Sequence, residues 1–164
     1  MPLSTLVKIS GVNNLSNARY CAGMGAGILG FCPEPYHPDF VDPDKFKEIT
    51  GWIKGVKLAG EFYTSQAYEI VQTDAVYGFD FLQVSRADTA GQIQSLGKPV
   101  FIQIDLTLHR DTAGVRKIFD TVLPEVQYFV IEGNSVDNNL LREIYSWSNN
   151  YTMLMGANIR PDNI

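Results

Sequence analysis

The sequence predicts a parallel α/β fold, a TIM-type β/α barrel, on three observations. Short apolar runs alternate with amphipathic helical stretches along the whole chain. No Gly-x-Gly-x-x-Gly follows the first run, which removes the usual support for an open dinucleotide-binding sheet. Polar residues recur at the C-terminal ends of several runs, where barrel active sites are assembled.

The first strand is Leu6–Ser10, in which alternation puts Lys8 and Ser10 on one face and Val7 and Ile9 on the other. Gly11 frees the backbone to turn. Asn14 or Ser16 caps a helix through Ala18, Arg19, Cys21 and Met24, and Gly25 closes it. Strand two is Ile28–Phe31. After a proline-rich loop, Asp42 and Pro43 form a cap and first turn for a helix from Asp44 to Ile53. Strand three is Val56–Phe62, followed by a helix that Thr64 or Ser65 caps. Strand four is Phe81–Ser85, and a short helix from Thr89 to Leu96 leads through Gly97-Lys98-Pro99 into strand five, Val100–Leu106. A helix from Thr112 to Val122 precedes strand six, Tyr128–Glu132, and one from Asn138 to Trp147 precedes strand seven, Thr152–Gly156. Pro161 then marks the first position of a helix that the sequence does not complete.

At 164 residues the chain is read as one domain spanning residues 1–164, long enough to bury a core without staples. Charged residues make up 19% and hydrophobic ones 45%, as in ordinary globular chains, which argues against disorder. The net charge of −5 argues against nucleic acid or an anionic membrane as partner. No apolar run approaches spanning length, and the first residues lack the pattern of a signal peptide, so a cytoplasmic location is expected. Cys21 and Cys32 have no metal-type spacing and read as free thiols in or near the core. His37 and His109 lie far apart without partner spacing, so no metal is expected, and phenylalanines such as Phe46, Phe101 and Phe129 fall at core positions rather than in a cofactor box, so no cofactor is expected.

Lys8-Ile9-Ser10-Gly11, Asn14-Leu15, Gly25-Ala26-Gly27 and Gly30-Phe31 together resemble the opening of the phosphoribosylanthranilate isomerases, where the pattern runs Lys-Ile-Cys-Gly, a short helix, Gly-Ala-Asp and Gly-Phe. The resemblance extends from Leu6 to Ile164 and independently implies a β/α barrel. It implies membership of a tryptophan-biosynthetic family and an Amadori rearrangement of a phosphorylated aminosugar. An acid opens the sugar ring, and a base removes a proton from the adjacent carbon. The family's base is the cysteine of the first strand, here Ser10, and its acid is an aspartate ending the sixth, here Glu132. A hydroxyl needs an adjacent base where a thiol can be tuned into range. Lys8, on the same face as Ser10, is either that helper or an ion-pair partner inside the barrel, with the ion pair favoured.

The resemblance also locates recognition. The family's arginine for the anthranilate carboxylate falls in the stretch Tyr36-His37-Pro38-Asp39-Phe40, where Asp39 would repel that group. Its Gln-Leu-His-Gly becomes Gln83-Val84-Ser85-Arg86, which keeps Gln83 and adds Arg86, either a surface ion pair or an anion contact. Gly156-Ala157-Asn158 resembles the family's phosphate-binding Gly-Gly-Leu, with Ala157 replacing a glycine. The partner implied is a small phosphorylated metabolite, and a homodimer is admitted. Ile159-Arg160-Pro161-Asp162-Asn163-Ile164 resembles the start of the family's seventh helix, so an eighth βα unit is expected to be missing from this sequence. Either the sequence is part of a longer chain or a partner closes the barrel, and the first is favoured. A competing expectation is a non-catalytic relative that binds a small phosphorylated ligand or a protein partner.

Overall fold

The structure, a computed structural model, describes residues 5–123, 126 and 128–157. Seven strands, β1 (Lys8–Ile9), β2 (Ile28–Phe31), β3 (Lys57–Phe62), β4 (Phe81–Val84), β5 (Val100–Asp105), β6 (Tyr128–Glu132) and β7 (Thr152–Met155), lie side by side in sequence order. All six pairings are parallel, as the alternation of apolar runs and helices requires. Between them run α1 (Leu15–Gly23), α2 (Pro43–Gly51), α3 (Ala67–Tyr77), α4 (Ala87–Gln92), α5 (Thr112–Val122) and α6 (Asn138–Ser146). The sheet curls into a nearly closed TIM-type barrel. Among the described residues no ladder joins β7 to β1.

Alternation divides the strand side chains between two apolar layers. Leu29, Phe31, Leu82, Ile102, Phe129 and Ile131 face outward into the main core with the helices. Ile28, Ala59, Phe101 and Val130 face inward and form the floor of the barrel, with Phe81 and Tyr128 packed on Phe101. The inner face carries polar side chains above that floor, because Glu61 pairs in register with Gln83, and Gln103 with Val130. The fold therefore raises a polar mouth at the C-terminal ends of its strands.

Side-chain caps set most helix starts. The Asn14 carboxamide oxygen accepts from the Asn17 amide at 2.8 Å, Asp42 from the Asp44 and Lys45 amides, and Asp111 from the Gly114 amide at 2.7 Å. The expected cap of α3 is corrected. Gln66 occupies the N-cap, and its amide donates to Glu69 at 2.7 Å, while Thr64 and Ser65 turn to a distant partner. The short helix after β4 ends early, at Gln92, and continues as a 3-10 turn, Ile93–Leu96. Pro161 and its expected helix start lie outside the described residues.

Candidate active site

Ser10 follows β1 and is exposed at the mouth, whereas Lys8 is sunk in it with a side chain only 3% exposed. Lys8 forms an ion pair with Glu61, a carboxylate with no exposure at all, and also donates to Ser10 Oγ at 2.7 Å. The second Glu61 oxygen accepts from the Gly11 amide at 2.9 Å. A buried charge persists only when it is paired and its lone pairs are filled, which this arrangement achieves. Gly30 makes room for it, since a Cβ there would overlap the Glu61 carboxylate. Gly11 has φ +64°, which favours glycine, and a Cβ on it would lie 3.0 Å from Asp39 Oδ2 and press on that carboxylate.

On the other side of the mouth, Glu132 Oε2 accepts from Gln103 Nε2 at 2.6 Å, and Gln103 Oε1 accepts from the Ser85 hydroxyl at 2.9 Å. Asp39 is fixed at the rim by Asn13, whose Nδ2 donates to Oδ1 at 3.1 Å. His37 stacks on Tyr63 with ring centroids 4.5 Å apart, and its Nδ1 accepts from the Asp39 amide at 3.2 Å. Burial pushes the Tyr63 phenol far above its ordinary range, with Glu61, the Cys32 thiol, Glu132 and Asp39 acting in the same direction. Burial also pushes the Cys32 thiol up to about 12, so this cysteine is no substitute for the family's cysteine, whose position Ser10 holds.

A groove of about 500 Å³ opens beside the mouth, between the loops after β2 and β3, walled by Glu34, His37, Tyr63 and Ser65 among others. Its base is a clasp. The Glu34 carboxylate accepts from the amides of Tyr63, Thr64 and Ser65 at 3.1, 3.0 and 2.8 Å and from the Ser65 hydroxyl at 2.6 Å. Burial alone would raise its pKa, but the Ser65 hydroxyl and these backbone donors together hold it below the usual range. A carboxyl depressed in the folded state stabilises above its unfolded pKa of about 4.3 and loses that contribution as pH falls through the folded value. The urea midpoint should therefore fall below about pH 4, and Glu34→Gln should flatten that acid limb. An unchanged limb in the variant would show that Glu34 does not carry it.

The sequence-named residues fall into two groups. Ser10, Lys8, Glu132, Gln83 and Asp39 belong to the inner face or rim of one mouth. Gln83 is 1% exposed, and its Oε1 is buried with no hydrogen-bond partner among the described residues. Arg86 sits at the start of α4, exposed and bound to Asp88 through Nε at 3.1 Å and Nη2 at 2.7 Å. The Gly156 amide donates to the Ile131 carbonyl at 2.7 Å and so extends the sheet, with Ala157 half-buried after it. Glu61, Gln103 and Glu34 were not singled out from sequence. For the first two the available signal was a polar residue in phase with the inward positions Ala59 and Phe101.

No family model matches the sequence. It is 30% identical over 79 residues to the N-(5'-phosphoribosyl)anthranilate isomerase of Aquifex aeolicus, covering 48% of this chain and 39% of that protein. It is 28% identical over 102 residues to the isomerase of the same name from Maridesulfovibrio salexigens, covering 62% of this chain and 49% of that protein. The chain thus matches less than half the length of each. In fold it is similar to monomers generated from the dimeric phosphoribosylanthranilate isomerase of Thermotoga maritima, with a TM-score of 0.79 at 16% identity over 98% of this chain and 79% of that one. Among the described residues no helix is long and apolar enough to cross a membrane. In barrel architecture, and over part of its sequence, the chain is thus similar to the phosphoribosylanthranilate isomerases.

Proposed function

We propose that the chain is an isomerase that converts a phosphorylated N-glycosylamine to the corresponding aminoketose, an Amadori-type rearrangement related by descent to tryptophan biosynthesis. The observation that carries this reading is the pairing of two polar arms on one inner face, Glu61–Lys8–Ser10 and Ser85–Gln103–Glu132. An aldose-to-ketose shift needs a proton moved between adjacent carbons while charge on an adjacent oxygen is stabilised, and two polar arms supply both. The rim then selects the substrate. Asp39 carries a negative charge, so an aglycone without a carboxylate suits the mouth better than anthranilate does.

Asp39 also favours a second reading, a non-catalytic relative that binds a small phosphorylated ligand, since it opposes the family's substrate. The test compares turnover of phosphoribosylanthranilate with that of the N-phenyl analogue, which lacks the carboxylate. The wild-type chain should turn over the analogue and show little or no activity on phosphoribosylanthranilate. Ser10→Cys combined with Asp39→Arg should raise the latter. Absence of turnover on both substrates, with binding retained, would establish the non-catalytic reading instead.

A further inference from the structure

The two arms have opposite hydrogen-bonding polarity. A lysine ammonium has donors and no acceptor. The 2.7 Å contact therefore makes Ser10 Oγ the acceptor from Lys8, and the Ser10 proton is left to point away from Lys8 at an exposed position of the mouth. For Ser10 to act as a base, Lys8 would have to start neutral and take its proton. That would strip the counter-ion from Glu61, a carboxylate with no solvent exposure. The ion pair thus locks this arm as a donor. Across the mouth the polarity is reversed. The Ser85 hydroxyl donates to Gln103 Oε1, and Gln103 Nε2 donates to Glu132 Oε2. An amide N–H needs an acceptor, so this arm presents a Glu132 carboxylate oxygen as acceptor where the first arm presents a donor.

Resting on the isomerase reading above, we propose that Glu132 is the base that carries the proton from C2 to C1, and that Ser10 is a fixed oxyanion donor to the C2 oxygen. Glu61 is then the positioning residue that sets this polarity through Lys8. The resemblance had implied the reverse, with proton abstraction on the first strand. Water protonates the ring oxygen as the C1–O bond breaks, and the nitrogen lone pair forms the C1=N bond. Glu132 removes the C2 proton. The C–H pair becomes the C1=C2 bond, and the C1=N pair returns to nitrogen. In the second half the C2 hydroxyl proton leaves to water and C2=O forms. The C1=C2 pair then takes the proton from Glu132 at C1. The proton taken from water is returned to water, and no oxidant or reductant is consumed. Negative charge develops on the C2 oxygen as its proton leaves, within reach of a hydroxyl polarised by an ammonium.

The experiment follows exchange of the C1 protons of the aminoketose 1-(phenylamino)-1-deoxyribulose 5-phosphate in deuterium oxide by NMR, with the full chain and three variants. Glu132→Gln should lose exchange by about a hundred- to ten-thousand-fold, the usual effect of removing a positioned base. Ser10→Ala should keep measurable exchange and lower kcat by about a hundred- to a thousand-fold with KM little changed, as removal of an oxyanion donor does. Glu61→Gln should reproduce the Ser10→Ala split between kcat and KM, and the double variant should be no worse than either single one. Glu132→Gln is isosteric and Ser10 is exposed, so these two decide the matter even if Glu61→Gln fails to fold. Exchange that survives in Glu132→Gln and vanishes in Ser10→Ala would overturn the assignment while leaving the isomerase reading intact. No exchange by the wild-type chain, together with no turnover of the N-phenyl glycosylamine, would overturn both.

Discussion

Lys8→Met should destabilise the fold by about 3–5 kcal/mol, the usual cost of stripping one partner from a buried ion pair. Methionine fills most of the space of the lysine stem, so packing changes little. Glu61 would then keep the Gly11 amide at 2.9 Å as its donor and lose its counter-ion, with no solvent to replace it. For a domain of this size, about 2–4 °C of melting temperature accompanies each kcal/mol, which gives a drop of roughly 6–20 °C. Adding Glu61→Leu should return much of that loss, because replacing both ions by apolar groups is often near neutral. The pair of measurements is thermal and urea unfolding of the single and double variants. A single variant within about 1 kcal/mol of wild type would mean that the pair is not closed to water as described.

Phe119→Ala should cost a comparable 3–5 kcal/mol by a different route, loss of a large core ring and the cavity left behind. Phe119 is fully buried on α5, stacked on Phe129 of β6 with centroids 3.8 Å apart. The edges of Trp147 and Tyr151 close around it at 5.5 and 5.0 Å. This cluster joins α5, β6 and the approach to β7, outside the barrel mouth. Phe119→Leu should cost less, since it leaves a smaller void. Calorimetric melting of the two variants checks the order, and equal melting points would contradict a packed cluster.

Elements whose signals are local were legible in the sequence. α5 and β6 fall at the residues expected, because Asp111 caps an amphipathic stretch and Glu132 ends an apolar one. Where a long-range partner competes, the local signal misleads. Thr64 and Ser65 have the chemistry of caps, but Glu34, some 30 positions earlier, takes their hydrogen bonds and leaves the N-cap to Gln66. The polar residues of the candidate site were legible to the same depth. Alternation puts Lys8 and Ser10 on one face, and the resemblance points to Glu132. Neither could supply Glu61 or Gln103, because which residue meets Lys8 or Glu132 depends on sheet register and on the space left by Gly30. The amide of Gly156 was likewise open to a ligand by sequence and is taken by Ile131 in the sheet.

Every ladder in the sheet joins strands that are neighbours in sequence, with β1 to β3 carrying one polar arm and β4 to β6 the other. Each arm is thus complete within its own stretch of chain, and the β3–β4 ladder is the seam between them. A chain built this way can assemble by local steps, with the mouth formed only when the two stretches dock. A ligand that touches both Ser10 and Glu132 acts as a brace across that seam. At a hundred times its dissociation constant it adds about 2.7 kcal/mol to the cost of any opening that releases it. Openings that leave Ser10 and Glu132 in place, such as fraying of α6, gain nothing. Binding of such a ligand and resistance to opening of the β3–β4 seam would be two readings of the same free energy.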